Sequence, residues 1–181
     1  MTSERESAID VHLPELARLL DRWRIPTVAI ATKGVPPHIT LLYPWRPAPV
    51  QSSDIAEAEA AVADISPFVI TLRRLGRFPG VLYLCPEPDD SLRVLIKRLM
   101  AAFPGTPLYE GQFPEPVPHL TVAKAVTEDE LDWIEARVSA ALAPHLPLTL
   151  TIRNLAIEEE GSDGIWSVRT TIALKGDTTA P

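Results

Sequence analysis

The segment Pro37-His38-Ile39-Thr40-Leu41 returns later in the chain as Pro118-His119-Leu120-Thr121-Val122, with residue numbers that differ by an offset of 81. In both copies a proline precedes an apolar run that carries a histidine and a threonine two positions apart. Prolines are tolerated at strand ends, and alternate residues of a strand point to the same face. Each copy therefore predicts a proline-bounded strand that presents a histidine and a threonine on one face.

The repeat continues beyond these two segments. At an offset of 80, three further positions of the first half match three of the second: Thr71, Arg73 and Leu75 match Thr151, Arg153 and Leu155. One inserted residue reconciles the two offsets, and each copy has the order strand with His-x-Thr, helix, hairpin. We therefore predict an α+β fold built by a bilobal pseudo-twofold duplication. Each lobe would be a mostly antiparallel sheet with flanking helices, with the active-site cleft between the lobes.

Apolar periodicity and turn residues predict the other elements. We expect strands over 8–13, 35–45 and 119–123, hairpins over 68–84 and 148–168, and helices over 14–23, 54–65, 92–103 and 127–142. Asp54 is the predicted N-cap of the second helix, and Thr127 with Glu130 forms a predicted capping box. The whole chain, 1–181, is predicted to be a single bilobal domain, with its motifs near 35–45 and 116–125 and a frayed tail over 176–181.

The charge balance limits the classes of partner. With 24 acidic and 17 basic residues the net charge is -7, which argues against a protein that coats long nucleic acids or binds an anionic membrane. The polar N-terminus and the lack of an apolar run of about 18 to 20 residues predict neither secretion nor membrane insertion. A single cysteine, Cys85, excludes an internal disulfide and fits a reducing compartment. We expect a cytoplasmic monomer.

The two histidine strands suggest a chemistry. If the strands face one cleft, two imidazoles and two hydroxyls surround a common point, which suits acid–base catalysis at phosphorus. Because the ordinary pKa of histidine is near 6.5, one ring can accept a proton while the other donates one at neutral pH. The sequence has no metal-ligand spacing and no glycine-rich phosphate loop. The predicted site therefore needs neither a metal nor a cofactor.

The paired motifs, separated by this offset in a chain of this length, resemble the 2H phosphoesterase superfamily, in its 2'-5' RNA ligase-like or cyclic phosphodiesterase branch. The resemblance covers nearly the whole chain. It implies a bilobal α+β fold and metal-independent chemistry on 2',3'-cyclic phosphates or 2'-5' phosphodiester bonds. By this resemblance His38 and His119 are the catalytic acid–base pair, and Thr40 and Thr121 bind the phosphate. Which histidine is the base is left open.

Three further residues are candidate substrate contacts. Lys124 follows the second motif where related proteins often carry a basic residue, and it is a candidate phosphate ligand. Strict alternation turns it away from the face of His119, so this role requires a bulge or a strand end. Tyr43 and Trp45 follow the first motif and are candidates for stacking on a base, although packing within a half-buried strand is the more frequent role of such aromatic residues. Other possible cations are Lys33, Arg46, Arg73, Arg77 and Arg153.

These features predict an enzyme that acts on a nucleotide or short RNA end bearing a 2',3'-cyclic phosphate or a 2'-5' phosphodiester. Hydrolysis is favoured over ligation because water is the more abundant nucleophile. Two alternatives from other classes stay open at this stage. The same cleft would serve a module that binds a nucleotide or RNA end without turnover, or the histidines would be structural in an adaptor protein.

Overall fold

The computed structural model describes residues 5–106, 108–112 and 115–176 of the chain. Its helices are α1 (Ala17–Thr27), α2 (Ala29–Thr32), α3 (Ser52–Ala61), α4 (Asp90–Ala102) and α5 (Glu128–Leu142). Its strands are β1 (Ser7–His12), β2 (His38–Leu42), β3 (Phe68–Phe78), β4 (Val81–Glu87), β5 (Leu120–Lys124), β6 (Leu148–Ile152), β7 (Asn154–Glu160) and β8 (Trp166–Ala173). Short 3-10 turns cover Pro14–Leu16 and Leu108–Gly111.

The strands form one curled sheet in the order β6-β3-β4-β5-β2-β1-β7-β8, and every neighbouring pair is antiparallel. The prediction of an α+β fold with antiparallel sheet is confirmed. The strands do not form a separate sheet for each lobe, because the two motif strands, β2 and β5, pair at Ile39 and Leu120 and join the halves. We call β1, β2, β7 and β8 the His38 half, and β3, β4, β5 and β6 the His119 half.

Strand pairing follows the sequence repeat. Ile39 and Leu120, which pair at the centre of the sheet, are equivalent residues at the offset of 81. A second pairing, within the His119 half, also joins the two copies of the sequence repeat: β3 pairs with β6 in the register Phe68 to Ile152 and Leu72 to Leu148. At the offset of 80, Phe68 is equivalent to Leu148 and Leu72 is equivalent to Ile152. The second pair is therefore the first pair with the two strands exchanged. Both junctions therefore have the symmetry that the repeat predicts.

The two long helices of the second part of the chain match their predicted periodicity. In α4 the buried residues are Leu92, Leu95, Ile96 and Leu99, and in α5 they are Leu131, Ile134, Val138 and Leu142. The capping box is present, because the Glu130 amide donates to Thr127 Oγ1 at 3.2 Å and the Val126 amide donates to the Glu130 carboxylate at 3.2 Å. Both helices pack one apolar face and leave the other to solvent.

Several local features differ from the predictions. Helix α3 begins at Ser52, so Asp54 is not its N-cap, and the Asp54 carboxylate instead accepts a hydrogen bond from Arg46 at 3.1 Å. The short helix α2 was not predicted, because four residues are too few to show a period. In the predicted tail, the Gly176 amide donates to the Ile65 carbonyl at 3.0 Å, whereas 177–181 lie outside the described residues.

One main apolar core serves both halves. It contains central strand residues such as Ile39 and Leu120 together with the inner faces of α3, α4 and α5. A smaller cluster of Ala8, Val35 and Trp166 lies beside it. Within the described residues, no helix is both long enough and apolar enough to cross a bilayer.

Candidate active site

A cavity of about 730 Å³ opens where the two halves meet, and both motifs line it. Its wall contains His38 and Thr40 from β2, and His119 and Thr121 from the β5 region. This convergence follows from the junction at Ile39 and Leu120: the flanking residues of each strand lie on the opposite face from these two core residues. The structure therefore brings together the four residues that the repeat singled out.

The two histidines make the same hydrogen bond. His38 Nδ1 lies 2.8 Å from the carbonyl oxygen of Pro36, and His119 Nδ1 lies 2.8 Å from that of Val117. Because a carbonyl oxygen only accepts, Nδ1 carries the proton in both rings. In the neutral state each ring is left with an unprotonated Nε2 as its second polar atom, which is the atom that can accept a proton from a reactant.

Burial lowers the pKa of both histidines, because it disfavours the charged imidazolium. For His38, burial and the nearby charges of Arg24 and His12 lower the pKa to about 4, against the opposing effects of the Pro36 carbonyl and Glu158. For His119, burial and the Lys124 ammonium lower the pKa, and the Val117 carbonyl opposes them. Both rings are thus neutral at pH 7 in the absence of a bound anion.

A bulge in each motif strand turns one further side chain toward the cavity. Opposite β4, the partners Leu82–Ala123 and Tyr83–Thr121 leave one extra residue in β5, Val122. The extra residue reverses the alternation, so Lys124 lines the cavity, as its predicted role required.

The His38 half has its bulge at the equivalent place. Opposite β1, the partners Ile9–Leu42 and Asp10–Thr40 leave Leu41 as the extra residue of β2, and Tyr43 lines the cavity. The Tyr43 hydroxyl donates to Glu6 Oε2 at 2.6 Å.

The other candidate contacts are placed elsewhere. Trp45 is not a base contact: only 2% of it is exposed, and its ring packs edge-on against Phe103 in the core. Arg46 pairs with Asp54, and Arg77 pairs with three carboxylates of α5. Lys33 is the one of the five additional candidate cations that lines the cavity. Arg73 and Arg153, like Arg46 and Arg77, are not among the residues of its wall.

The surroundings of His38 are acidic and buried. Asp10 on β1 and Glu158 on β7 both line the cavity, although only 1% and 3% of these residues are exposed. Burial and the neighbouring Glu158 carboxyl raise the pKa of Asp10 well above 3.8, so this pair of carboxyls shares a proton. Glu158 Oε2 lies 3.1 Å from His12 Nε2, and the His12 ring lies 6.4 Å from that of His38.

The surroundings of His119 are aromatic instead. The Phe78 and Tyr83 rings stack at 4.3 Å, and their centroids lie 5.1 Å and 5.4 Å from that of His119. Tyr83 pairs with Thr121 as Asp10 pairs with Thr40, and Phe78 is equivalent to Glu158 at the offset of 80. The aromatic pair therefore occupies the positions that the carboxyl pair occupies in the other half.

A glycine makes room for this aromatic pair. A Cβ added at Gly76 would lie 2.6 Å from the Tyr83 ring, well inside van der Waals contact. Any larger residue at this position would force the Tyr83 ring to move.

Arg24 is a cavity residue that the sequence analysis missed. Arg24 is 1% exposed, and its guanidinium pairs with Asp21 at 2.7 Å and donates to the carbonyls of Val35 at 3.2 Å and Pro36 at 3.0 Å. The Pro36 carbonyl is also the acceptor for His38, so Arg24 holds the backbone that orients this ring. A signal existed, because Leu16, Leu20 and Arg24 follow one another at four-residue intervals along one buried face.

Tyr109 was also missed. Its hydroxyl hydrogen-bonds Thr40 and its ring lies 6.5 Å from that of His119, so it contacts both motifs. Tyr109 and Glu110 have φ values of 52° and 55°, which are rare for residues with a side chain. Its amide donates to the Tyr43 carbonyl at 2.6 Å, which fixes the turn against β2. The surrounding loop has no apolar period, so the sequence offered no signal.

One group of described residues has the donor types and spacing of a metal site. Ligand atoms of Asp10, His12 and Glu158 lie within 4.8 Å of one another. A metal ion needs deprotonated carboxylates, whereas burial makes the carboxyl pair retain a proton. In the metal-free protein this cluster therefore holds a proton on its carboxyl pair.

Comparison with known proteins gives the same fold. Among solved structures, Escherichia coli LigT complexed with 3'-AMP aligns with a TM-score of 0.59 and 14% identity, covering 96% of this chain and 99% of LigT. The Thermus thermophilus protein TT0787 aligns with a TM-score of 0.59 and 23% identity, covering 95% and 99%. A Bacillus pumilus protein named "Putative phosphoesterase" is 26% identical over 145 residues, 77% of this chain and 80% of that protein.

In this antiparallel α+β fold, each of the two motif strands contributes one histidine and one threonine to the same cavity. This arrangement defines a class of paired-histidine proteins. The family description "2'-5' RNA ligase superfamily" matches residues 13–164. The chain belongs to the 2'-5' RNA ligase superfamily, and the family resemblance predicted from the two motifs is confirmed.

Proposed function

We propose that this protein is a metal-independent phosphoesterase that opens 2',3'-cyclic phosphates or cleaves 2'-5' phosphodiesters of nucleotides or short RNA ends. One observation carries the proposal: His38 and His119, with identical Nδ1 hydrogen bonds, line one cavity together with Thr40 and Thr121. Two imidazoles with available Nε2 atoms are the minimum for paired acid–base catalysis. LigT, whose fold this chain shares, has been solved with nucleotides and with phosphate.

The surroundings favour different roles for the two histidines. His38, with its pKa lowered to about 4, is unprotonated over the whole neutral range and is suited to take a proton from water. His119 would then be the acid, because a phosphate anion bound beside it favours the imidazolium form. In the reaction, the water oxygen attacks phosphorus, His38 takes its proton, and His119 gives one to the departing ribose oxygen. The product is a phosphomonoester with a free neighbouring hydroxyl.

The remaining residues would hold the phosphate. Thr40 and Thr121 can donate hydroxyl hydrogens to the non-bridging oxygens, and the Lys124 ammonium balances the charge that develops on them. Lysine acts as a point charge without the fork of arginine, so it does not fix the phosphate orientation by itself. In this scheme the two threonines supply the orientation.

The test is product formation from adenosine 2',3'-cyclic phosphate and from a short RNA with a 2',3'-cyclic end, with EDTA present. We expect turnover by the wild-type protein and a loss of about 100-fold or more in His38→Ala and in His119→Ala. His145→Ala is the matched control, because His145 is exposed and outside the cavity. Full activity in either catalytic variant, or loss of the wild-type rate in EDTA, would refute the proposal. Saturable binding without product would favour the binding module.

A further inference from the structure

The cavity has three basic side chains, and two of them are already engaged. All 17 lysines and arginines of the chain lie within the described residues, so the inventory of cations is complete. Arg24 is buried and held by Asp21 and two backbone carbonyls. Lys33 Nζ lies 3.3 Å from Glu160 Oε1. Among the described residues, Lys124 is the cavity cation with no carboxylate within 4.0 Å.

The end of the cavity around Tyr43 is acidic. The carboxylate of Glu6 accepts the Tyr43 hydroxyl hydrogen bond, and Glu160 and Glu110 lie close enough to raise the pKa of Tyr43 further. Asp10 and Glu158, which share a proton and so carry one negative charge between them, also line the cavity. A second phosphate placed beside Tyr43 would lie close to the negative charges of Glu6 and of the Asp10–Glu158 pair, and the nearby Lys33 is already paired with Glu160. Such repulsion is effective at distances shorter than the screening length of about 8 to 10 Å.

The walls at this end also include aromatic and apolar side chains. Trp166 and Tyr43 are 6.2 Å apart between ring centroids, and Ile30 packs against the same small cluster. Such a surface accommodates an uncharged ring, and aromatic side chains stabilise nucleobases by stacking. This end therefore fits a neutral heterocycle and excludes a phosphate chain.

We propose that this site selects substrates whose only phosphate is the reacting one, so that nucleoside 2',3'-cyclic monophosphates are its substrate class. RNA ends and 5'-phosphorylated nucleotides are disfavoured because each brings a further anion to the carboxylates. This selectivity rests on the proposed function. Among the substrates of that function, the charges around the cavity would allow those with a single phosphate to bind.

A binding measurement tests the selectivity without requiring turnover. Calorimetric titration with adenosine 2'-monophosphate and with adenosine 2',5'-bisphosphate, at low salt and with EDTA, should give an affinity at least about tenfold weaker for the bisphosphate. Added salt should reduce the difference between the two affinities, because it screens the repulsion. Equal or tighter binding of the bisphosphate, or no measurable binding of the monophosphate, would overturn the inference.

Two variants locate the effect. Glu160→Gln releases Lys33 at the cavity, so it should bring the two affinities to within about threefold of each other. Asp64→Asn makes the same change in net charge and releases Arg98 on the outer surface, so it should leave the tenfold ratio in place. The same narrowing in both variants would mean that net charge sets the ratio, and this would contradict the assignment to the cavity.

Kinetics distinguish this inference from the proposed function. Wild-type kcat/KM for adenosine 2',3'-cyclic phosphate should exceed that for its 5'-phosphorylated form by at least about tenfold. If neither compound is turned over, the proposed phosphoesterase activity is refuted. The ratio of the affinities for the monophosphate and the bisphosphate still tests the selectivity in that case. Equal turnover of both would support the phosphoesterase and overturn the selectivity.

Discussion

At the scale of single residues, the surroundings of His38 and His119 set the pH range of the proposed reaction. Both histidines have their pKa values lowered, mainly by burial, and that of His38 reaches about 4. The base must lose its proton and the acid must keep one, so a lowered pKa moves both limbs of the pH profile to the acid side. The acidic limb should rise through about pH 4, and the alkaline limb should begin below 6.5.

We therefore expect the kcat/KM of a 2',3'-cyclic phosphate to be bell-shaped with its maximum below pH 6.5. The ratio kcat/KM reports the free enzyme, in which no bound phosphate raises the pKa values. The measurement is initial rates at substrate concentrations far below KM, in EDTA, between about pH 4 and 8. A maximum at pH 7.5 or above would show that burial does not control the titration of the histidines.

The carboxyl pair beside His38 makes a separate prediction about stability. Asp10 has a pKa well above 3.8 in the folded protein, so it holds a proton that the unfolded chain has lost once the pH exceeds about 3.8. The unfolded state then binds fewer protons, and the contribution of Asp10 to the free energy of unfolding falls as pH rises through that window. The asparagine side chain of Asp10→Asn is uncharged at every pH, so the free energy of unfolding of this variant does not fall for this reason.

The variant Asp10→Asn should thus gain stability relative to the wild type as the pH is raised from about 4 to 7, and its Tm should rise relative to that of the wild type. Thermal unfolding of both proteins across this range is the measurement. Asp129→Asn, an exposed carboxyl in the first turn of α5, is the control and should show no such trend. A constant difference between Asp10→Asn and wild type at all pH values would contradict a shared proton.

How far the sequence predicts the site depends on the kind of residue. The two motifs carried their own signal, because a repeated proline-bounded strand shows its histidine and threonine without knowledge of the fold. Glu158 did not, because it begins a run of three glutamates that is typical of a solvated strand end. It is buried by its pairing with β1 and β8, which is a tertiary effect. The packing of Trp45 in the core is a tertiary effect as well.

At the scale of elements, the start of α5 is determined by local chemistry. The Thr127 side chain accepts from the Glu130 amide in the first turn, and the Glu130 side chain accepts from the Val126 amide just before the helix, so both amides are satisfied. This element was predictable because both partners lie within five residues of sequence. The start of α3 was not, because Asp54 binds Arg46 outside its own helix.

Thr127→Ala should cost about 1 kcal/mol in the free energy of unfolding, because it leaves an amide of the first turn without its partner. Urea denaturation measures this cost. Thr127→Ser keeps the hydroxyl and should retain most of the stability. Activity at temperatures well below unfolding should be unchanged in both variants, since Thr127 is outside the cavity. A cost shared equally by Ser and Ala would mean that the threonine methyl, and not the cap, supports the helix.

At the scale of the whole molecule, one sheet and one main core run through both halves. The centre of that core contains Ile39 and Leu120, one from each motif strand, and both are completely buried. Neither half can therefore unfold without exposing the apolar surface of the other. Cooperative loss of both halves follows from this shared core.

We expect urea unfolding to show a single transition with the same midpoint by far-ultraviolet circular dichroism and by tryptophan emission. Trp166 on β8 reports on the His38 half, and Trp133 on α5 reports on the helix that packs against β4. Variants that keep only one of these two tryptophans would give the midpoint of each half separately. Two distinct midpoints would show that the halves unfold independently.

The junction strands have a further consequence that symmetry makes plain. Where β3 meets β6, residue and partner exchange places under the repeat, as they do across the isologous interface of a two-fold dimer. In a true homodimer the two histidines would have identical surroundings and therefore the same pKa. Neither would be predisposed to act as the proton donor or as the proton acceptor. Joining both copies in one polypeptide removes that constraint. One imidazole can then lie beside a carboxyl pair while its twin lies beside two aromatic rings.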